Sequence, residues 1–121
     1  MTKKRIIDLG ALDSMASVMA KKICPEAKVW GIDIAESAIE QMKERHPDIL
    51  FEVRNIYDTG FPDHYFDYAL MGEVIEHLEE PEKAIAEAMR VLKPGGTFAL
   101  STPLNEAIEP GAVDSERHLW S

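Results

Sequence analysis

One stretch in the second half of the chain predicts a strand, a helix and a second strand in succession. It reads FDYALMGEVIEHLEEPEKAIAEAMRVLKPGGTFALSTP and runs from residue 66 to residue 103. Residues 66–70 and 97–101 are short apolar runs typical of buried strands. Between them, apolar side chains recur at helical spacing: Ala84, Ile85, Ala88, Met89 and Leu92. Such βαβ units build parallel sheets, whose ligands bind beyond the carboxyl ends of the strands.

Proline and glycine mark the two ends of this predicted helix. Pro81 suits the first turn, where the missing N–H of proline costs nothing. The run Lys-Pro-Gly-Gly at 93–96 predicts the end of the helix, because proline cannot continue it and glycine adopts the left-handed cap conformation.

Strands and helices also alternate along the rest of the chain. The pattern predicts strands at 5–8, 28–32 and 50–54, helices at 14–23 and 36–45, and a loop at 57–65. Together with the βαβ unit this gives an α/β layered sandwich with five parallel strands. We predict one domain at 1–103, followed by a loop-like tail at 104–121.

Composition restricts the class of partner. The formal net charge of −9 argues against a nucleic-acid partner, because phosphate backbones are held by clusters of Lys and Arg. No apolar run approaches a membrane span, so we expect no membrane partner. The single Cys24 cannot form an internal disulfide and fits a reducing cytoplasm. The acidic residues at 36–44 and 73–87 are predicted to be solvent-exposed.

The βαβ unit resembles a known family in its actual residues. The turn Glu-Val-Ile-Glu-His at 73–77 and the run Arg-Val-Leu-Lys-Pro-Gly-Gly at 90–96 are similar to the central part of S-adenosylmethionine-dependent methyltransferases with a Rossmann-like fold. The resemblance extends more weakly back to Ile6. It implies a three-layer sandwich with strand order 3-2-1-4-5, counted in chain order. It also implies methyl transfer from S-adenosylmethionine to a small molecule, with S-adenosylhomocysteine as product.

The resemblance places part of the cofactor site in the turn after the first strand. The family has Asp-x-Gly-x-Gly-x-Gly there; Asp8 and Gly10 match it, whereas Leu12 and Ser14 replace the later glycines. Ala11 lies within the same turn and is assigned to the same site. A leucine held at positive φ costs roughly 1–2 kcal/mol. We therefore expect a degenerate glycine loop and weakened cofactor binding.

The resemblance assigns a second part of the site to the end of the second strand. Asp33 stands at the family's position for a carboxylate that accepts hydrogen bonds from the ribose hydroxyls, and Ile34 follows it. The alternative is that Asp33 caps the helix that opens at Glu36, and the two roles are compatible.

Two further pairs of residues complete the implied site. Asn55 replaces the family's adenine-binding acid and Ile56 suits the purine face, although Asn55 also fits an ordinary turn asparagine. Met71 and Gly72 correspond to backbone that lies against the methionine part of the cofactor in relatives.

The acidic turn at 73–77 contains candidates for a catalytic base and for metal ligands. We assign no catalytic residue; His77 and, second, His118 are candidates for a general base because histidine titrates near neutral pH. Glu73, Glu76, His77 and His118 also resemble the divalent-metal ligands of small-RNA 2′-O-methyltransferases. The acidic charge disfavours RNA, and the prediction is that no metal is bound.

The family normally has a helix before the first strand, and a helix and two strands after the fifth; the printed sequence has neither. We therefore expect either a fragment or an abbreviated protein. Two hypotheses for its function remain: an active methyltransferase, or a catalytically inactive methyltransferase-like binding or scaffold module. Without those later strands, the fifth strand would leave one edge of the sheet unpaired. We therefore predict a homodimer through this edge, with the tail at 104–121 as the alternative cover.

Overall fold

The computed structural model describes residues 4–11, 16–72 and 78–101. In them, strands and helices alternate, with these bounds: β1 Arg5–Leu9, α1 Ala16–Ile23, β2 Lys28–Asp33, α2 Glu36–Arg45, β3 Leu50–Val53, β4 Phe66–Gly72, α3 Pro81–Val91 and β5 Leu92–Ser101. The strands form one parallel sheet in the order β3-β2-β1-β4-β5. The predicted α/β class and strand order are confirmed. The boundary at residue 103 lies outside the described residues.

Helices cover both faces of the sheet. On one face, α1 and α2 pack through Val18 and Ile39 against a cluster that includes Val29 and Phe51. On the other face, the side chains of α3 join the larger cluster, whose buried members are Ile7, Leu9, Trp30, Ile32, Phe61, Phe66, Ala69, Met71, Ala84, Ala88, Val91, Leu92, Phe98 and Leu100. The three-layer sandwich follows from this division.

The end of α3 differs from the prediction. The helix ends at Val91. Leu92 begins β5 in an extended conformation, with φ −80° and ψ 141°. Leu92 is buried, and a buried leucine suits both a helix and a strand, so its apolar character could not distinguish between them. Met89 is 45% exposed and does not belong to the buried stripe, which Ala84, Ala88 and Val91 form.

The run Lys-Pro-Gly-Gly at 93–96 lies within β5, whereas the sequence predicted a cap between helix and strand. Phe66 pairs with Leu92 but Tyr68 pairs with Thr97, so the run forms an irregularity in the register beside β4. Gly95 has φ +83°, the left-handed conformation that the sequence predicted for a glycine there.

Residues 54–65, between β3 and β4, cover part of the α3 face. Phe61 and Tyr65 from this segment join Trp30 and Phe66 in an aromatic cluster with ring centroids 5.0 to 6.0 Å apart. Most of these contacts are edge-to-face, a favourable arrangement for aromatic pairs. The cluster fixes the segment against the sheet although the segment contains no helix.

The last residues of this segment are also bound to the end of α3. His64 has φ +56°, and its N–H donates to the carbonyl oxygen of Arg90 at 3.0 Å. The N–H of Tyr65 donates to the carbonyl oxygen of Val91 at 2.7 Å. These bonds satisfy carbonyl groups that a helix C-terminus leaves without intrahelical partners.

Two expectations from composition concern the surface. In the part of the chain that the structure describes, no helix is long and apolar enough to cross a membrane. Cys24 is a free thiol of intermediate exposure, in agreement with the absence of a disulfide partner.

Candidate functional site

The chain turns sharply where β1 ends. Gly10 adopts φ +80°, and the N–H groups of Gly10 and Ala11 both donate to the carbonyl oxygen of Ile32 at 2.9 Å. This turn carries the backbone over the end of β2. A side chain at Gly10 would be strained by its positive φ, so the glycine that matches the family pattern has a structural reason.

Asp8 is buried beneath this turn. Its side chain is fully buried, and Oδ2 accepts a hydrogen bond at 3.0 Å from the N–H of Ser17 in the first turn of α1. First-turn N–H groups have no intrahelical partner, and a carboxylate near a helix N-terminus is stabilised by the helix dipole. Asp8 thus holds the start of α1 against β1.

Asp33 lies at the carboxyl end of β2 and is half-buried. Its Oδ1 accepts a hydrogen bond at 3.0 Å from the N–H of Ala35, the N-cap residue of α2, which has no side-chain cap of its own. Its backbone carbonyl accepts from the N–H of Arg54 at 3.0 Å. Asp33 is therefore not the N-cap of α2; it forms a local turn that precedes the helix, and a carboxylate has acceptor capacity beyond one hydrogen bond.

Asn55 forms the turn that follows β3. Its Oδ1 accepts from the N–H of Tyr57 at 2.8 Å, and its carbonyl accepts from the N–H of Asp58 at 3.0 Å. This is the geometry of an ordinary turn asparagine, one of the two predicted alternatives. Ile56, next in the turn, packs partly buried against the larger core cluster.

Gly10, Asp33, Asn55 and Ile56 border one cavity of about 180 Å³. Its lining residues lie at or beyond the carboxyl ends of the strands or on the segments beside them: Gly10, Asp33, Ile34, Asn55, Ile56, Tyr57 and Leu78. The position agrees with the rule for open α/β sheets, whose ligands bind outside the carboxyl ends of the strands. Small-molecule sites usually measure about 300–1,000 Å³, so this cavity accommodates one part of a cofactor-sized ligand.

The cavity gathers some of the predicted site residues and not others. Gly10, Asp33, Ile34, Asn55 and Ile56 line it. Three other predicted residues do not line it: Asp8, Ala11 and Met71 are buried. Leu12, Ser14, Glu73, Glu76, His77 and His118 lie outside the described residues, and Gly72 ends β4. In the part that the structure describes, no group of three or more His, Cys, Asp or Glu side chains is placed to hold a metal ion.

Two lining residues were not predicted. Tyr57 was interpreted only as the start of a loop, and Leu78 was assigned no role. The hydroxyl of Tyr57 accepts a hydrogen bond from the N–H of Glu80 at 3.3 Å, just before α3. Nothing in the local pattern signals this contact, because it joins residues far apart in the chain.

Behind the cavity, a buried carboxylate binds the 54–65 segment to α3. Glu87, which the sequence placed on a solvated face, is only 8% exposed. Its Oε2 accepts from the N–H of Thr59 at 2.9 Å and from its hydroxyl at 2.8 Å. Both carboxylate oxygens accept from the Arg90 guanidinium, at 2.7 and 2.9 Å. Hydrogen bonds from Arg90, opposed by burial and reinforced by Thr59, lower the pKa of Glu87 to about 2.

Known proteins resemble this chain in sequence and fold. Residues 7–100 match the sequence model of the family described as Methyltransferase domain. A Mycolicibacterium smegmatis protein, named a probable S-adenosylmethionine-dependent methyltransferase, is 33% identical over 84 residues, covering 69% of this chain and 33% of that protein. The demethylmenaquinone methyltransferase of Symbiobacterium thermophilum is 34% identical over 97 residues, covering 75% of this chain and 36% of that protein.

A solved structure extends the likeness to the fold. The PH0226 protein of Pyrococcus horikoshii is 30% identical with a TM-score of 0.72, over 85% of this chain and 51% of that chain. This chain spans only about a third of the length of the two curated relatives. The match covers 33% of the Mycolicibacterium smegmatis protein and 36% of the Symbiobacterium thermophilum protein.

Proposed function

Because the chain belongs to the S-adenosylmethionine-dependent methyltransferases with a Rossmann-like fold, we propose that it binds S-adenosylmethionine at the carboxyl end of its sheet and transfers the methyl group to a small-molecule acceptor. The observation that carries the proposal is the cavity in which Gly10, Asp33 and Asn55 meet. These residues lie at or just beyond the carboxyl ends of three different strands, β1, β2 and β3, and the resemblance assigns each of them to the cofactor.

The lining of the cavity fits the nucleoside part of this cofactor. Asp33 supplies a carboxylate, which can accept hydrogen bonds from ribose hydroxyls. Ile34 is 72% exposed at the cavity and Ile56 is partly buried, so both offer apolar surface to a purine ring. Gly10 lacks a Cβ at the point where the backbone turns, which permits a close approach of the ligand.

The proposed division of labour places the nucleoside near β2 and β3 and the methionine part near β4. Asp33 would hold the ribose, while Asn55 and Ile56 would contact the adenine. Met71 and Gly72, at the end of β4, would lie beside the methionine part. When bound, S-adenosylmethionine supplies an activated methyl group. The chain's own contribution is to orient ligand and acceptor, and positioning of this kind can supply several kcal/mol.

An acceptor that must lose a proton needs a base beside it. His77 lies five residues after the end of β4 in the sequence and is the first candidate, with His118 second. An imidazole with an ordinary pKa near 6.5 exchanges protons efficiently at neutral pH.

A small-molecule acceptor is supported by the chemistry of the chain and by one relative. The net charge of −9 disfavours nucleic acid as the acceptor. The Symbiobacterium thermophilum relative is named for demethylmenaquinone.

The matched relatives carry enzyme names, which supports an active enzyme over an inactive binding module. A cytoplasmic location, suggested by the single Cys24, is kept as part of the proposal.

A homodimer through β5 is also kept as a proposal. In the described part of the chain, β5 pairs with β4 on one side and lies at the edge of the sheet on the other. An edge strand presents a row of backbone N–H and C=O groups that another strand can pair with.

Calorimetric titration with S-adenosylmethionine and S-adenosylhomocysteine tests the proposed function. We expect binding of both, and a loss of about tenfold or more in affinity on Asp33→Asn, because one charged hydrogen bond contributes about 1.5–3 kcal/mol. Asparagine keeps an acceptor for the N–H of Ala35, so the start of α2 is preserved. The matched control is Asp48→Asn, at an exposed position before β3. Absence of any binding by the wild-type chain at millimolar ligand would refute the proposal.

A further inference from the structure

The side chain of Glu87, on helix α3, accepts four hydrogen bonds. Its side chain is 9% exposed and lies outside the lining of the cavity. Two donors come from Thr59 and two from Arg90. A buried charge is tolerated when its partners are this complete, and removing one leaves an unsatisfied polar group.

Thr59 attaches the 54–65 segment to α3, and residues 55–57 of that segment line the cavity. Its N–H and hydroxyl donate to Glu87, and its carbonyl accepts from Nη1 of Arg54 at 2.6 Å. Thr59 is 2% exposed, whereas Asn55, in the turn that lines the cavity, is exposed. The bonds of Thr59 therefore add to the packing of Ile56 and Tyr57 on the core in holding the cavity-lining residues 55–57.

Arg90 reinforces the same attachment. Its Nη2 donates to the carbonyl oxygen of Phe61 at 2.9 Å, and its Nη1 contacts Asp63 at 2.6 Å. The Glu87 and Arg90 side chains therefore hold three points of the 54–65 segment, while contributing no atom to the cavity itself.

We propose that Glu87 is a positioning residue for the cofactor: through Thr59 it holds the turn at 55–57 in the place where it contacts the nucleoside. This inference rests on the proposed function, because it concerns the same cavity. Its consequence is that a change at Glu87 weakens ligand binding without removing any ligand contact. The effect passes through Thr59, so loss of either partner should have much the same result.

A double-mutant cycle separates positioning from general stabilisation. The variants are Glu87→Gln, Thr59→Val and the double variant, with Thr59→Ser as the conservative replacement that restores the hydroxyl. Each is titrated with S-adenosylhomocysteine well below its own melting temperature. We expect each single variant to bind about tenfold more weakly, the double variant to bind no more weakly than Glu87→Gln, and Thr59→Ser to bind as wild type.

The matched control is Asp67→Asn. The Asp67 carboxylate accepts from the N–H of Arg5 at 2.9 Å and from Nζ of Lys93 at 3.2 Å, at the amino end of β4 and away from the cavity. Burial opposes these bonds, but together with nearby lysines they lower the pKa of Asp67 below its usual value. Its loss should lower the melting temperature and leave the affinity for S-adenosylhomocysteine within twofold of wild type.

The outcomes distinguish this inference from the function on which it rests. If the wild-type chain does not bind S-adenosylhomocysteine, the proposed function and this inference both fail. If the wild type binds and the Glu87 and Thr59 variants bind equally well, only the inference fails. It also fails if Asp67→Asn weakens binding as much as they do. Should Glu87→Gln not fold, the comparison of Thr59→Val with Thr59→Ser decides alone.

Discussion

Replacement of Glu87 by glutamine should remove a defined pH dependence from the stability of the fold. The Glu87 side chain is 9% exposed, and its carboxylate accepts hydrogen bonds from Arg90 and Thr59. Hydrogen bonds from Arg90 and then Thr59 outweigh burial and lower the pKa of Glu87 from an ordinary 4.5 to about 2. Glutamine has nearly the same shape but no charge, and its pairing with Arg90 does not titrate.

The sign and size of the effect follow from the two pKa values. Because the folded-state pKa is the lower one, the stabilisation is complete well above pH 4.5 and is lost as the pH falls towards about 2. At 1.36 kcal/mol per pKa unit, the full contribution is about 3 kcal/mol at pH 7. By the same linkage about 1 kcal/mol remains at pH 3, so about 2 kcal/mol is lost between these pH values.

Urea unfolding measures this loss directly. Trp30 is 6% exposed in the aromatic cluster, so its fluorescence reports unfolding. The difference in unfolding free energy between wild type and Glu87→Gln should shrink by about 2 kcal/mol from pH 7 to pH 3. Glu82→Gln, at an exposed acid in the first turn of the same helix, is the control for the loss of one negative charge. A difference that does not change with pH for Glu87→Gln would refute the assigned pKa and the bonds that explain it.

Four further predictions concern other parts of the molecule. Gly31→Ala should destabilise the fold by about 1–3 kcal/mol in thermal unfolding, because its Cβ would lie 2.5 Å from Cε1 of Phe51; an unchanged melting temperature would contradict this packing. Leu12→Gly should tighten S-adenosylhomocysteine binding in calorimetry, and unchanged or weaker binding would show that the turn follows a different path from that of the family. A chelator should leave ligand affinity and melting temperature unchanged, whereas a stoichiometric divalent ion at 73–77 would overturn this. Light scattering at low micromolar concentration should show a dimer through β5; a monomer throughout would exclude it.

Most of the fold could be predicted from local pattern, and its strand order could not. Alternating apolar segments located the five strands and three helices of the described part of the chain. The order β3-β2-β1-β4-β5 came from the family resemblance, because periodicity does not specify which strands are neighbours. The junction at Leu92 was wrong since a buried leucine suits the end of a helix and the start of a strand equally.

The sequence predicted where two residues beside the cavity lie. Gly10 was expected in a tight turn and has φ +80°, and Asp33 was expected at the end of β2 and lies there. The burial of Glu87 was not predictable, since its partner Thr59 is 28 residues away and only the folded chain brings them together. A charged residue on an amphipathic helix otherwise belongs on the solvated side.

The bonds from His64 and Tyr65 to the end of α3 make the segment and the helix a single cooperative unit. Neither can open locally without breaking the other's attachments, so amide protons in α3 and in 54–65 should exchange through one shared opening. A ligand that requires the wall at 55–57 binds only the closed form of that unit. Binding would therefore slow exchange along α3 by about one plus the ratio of ligand concentration to Kd, although α3 does not line the cavity. Ligand binding in the cavity could therefore be detected by amide exchange in α3, a helix that does not line it.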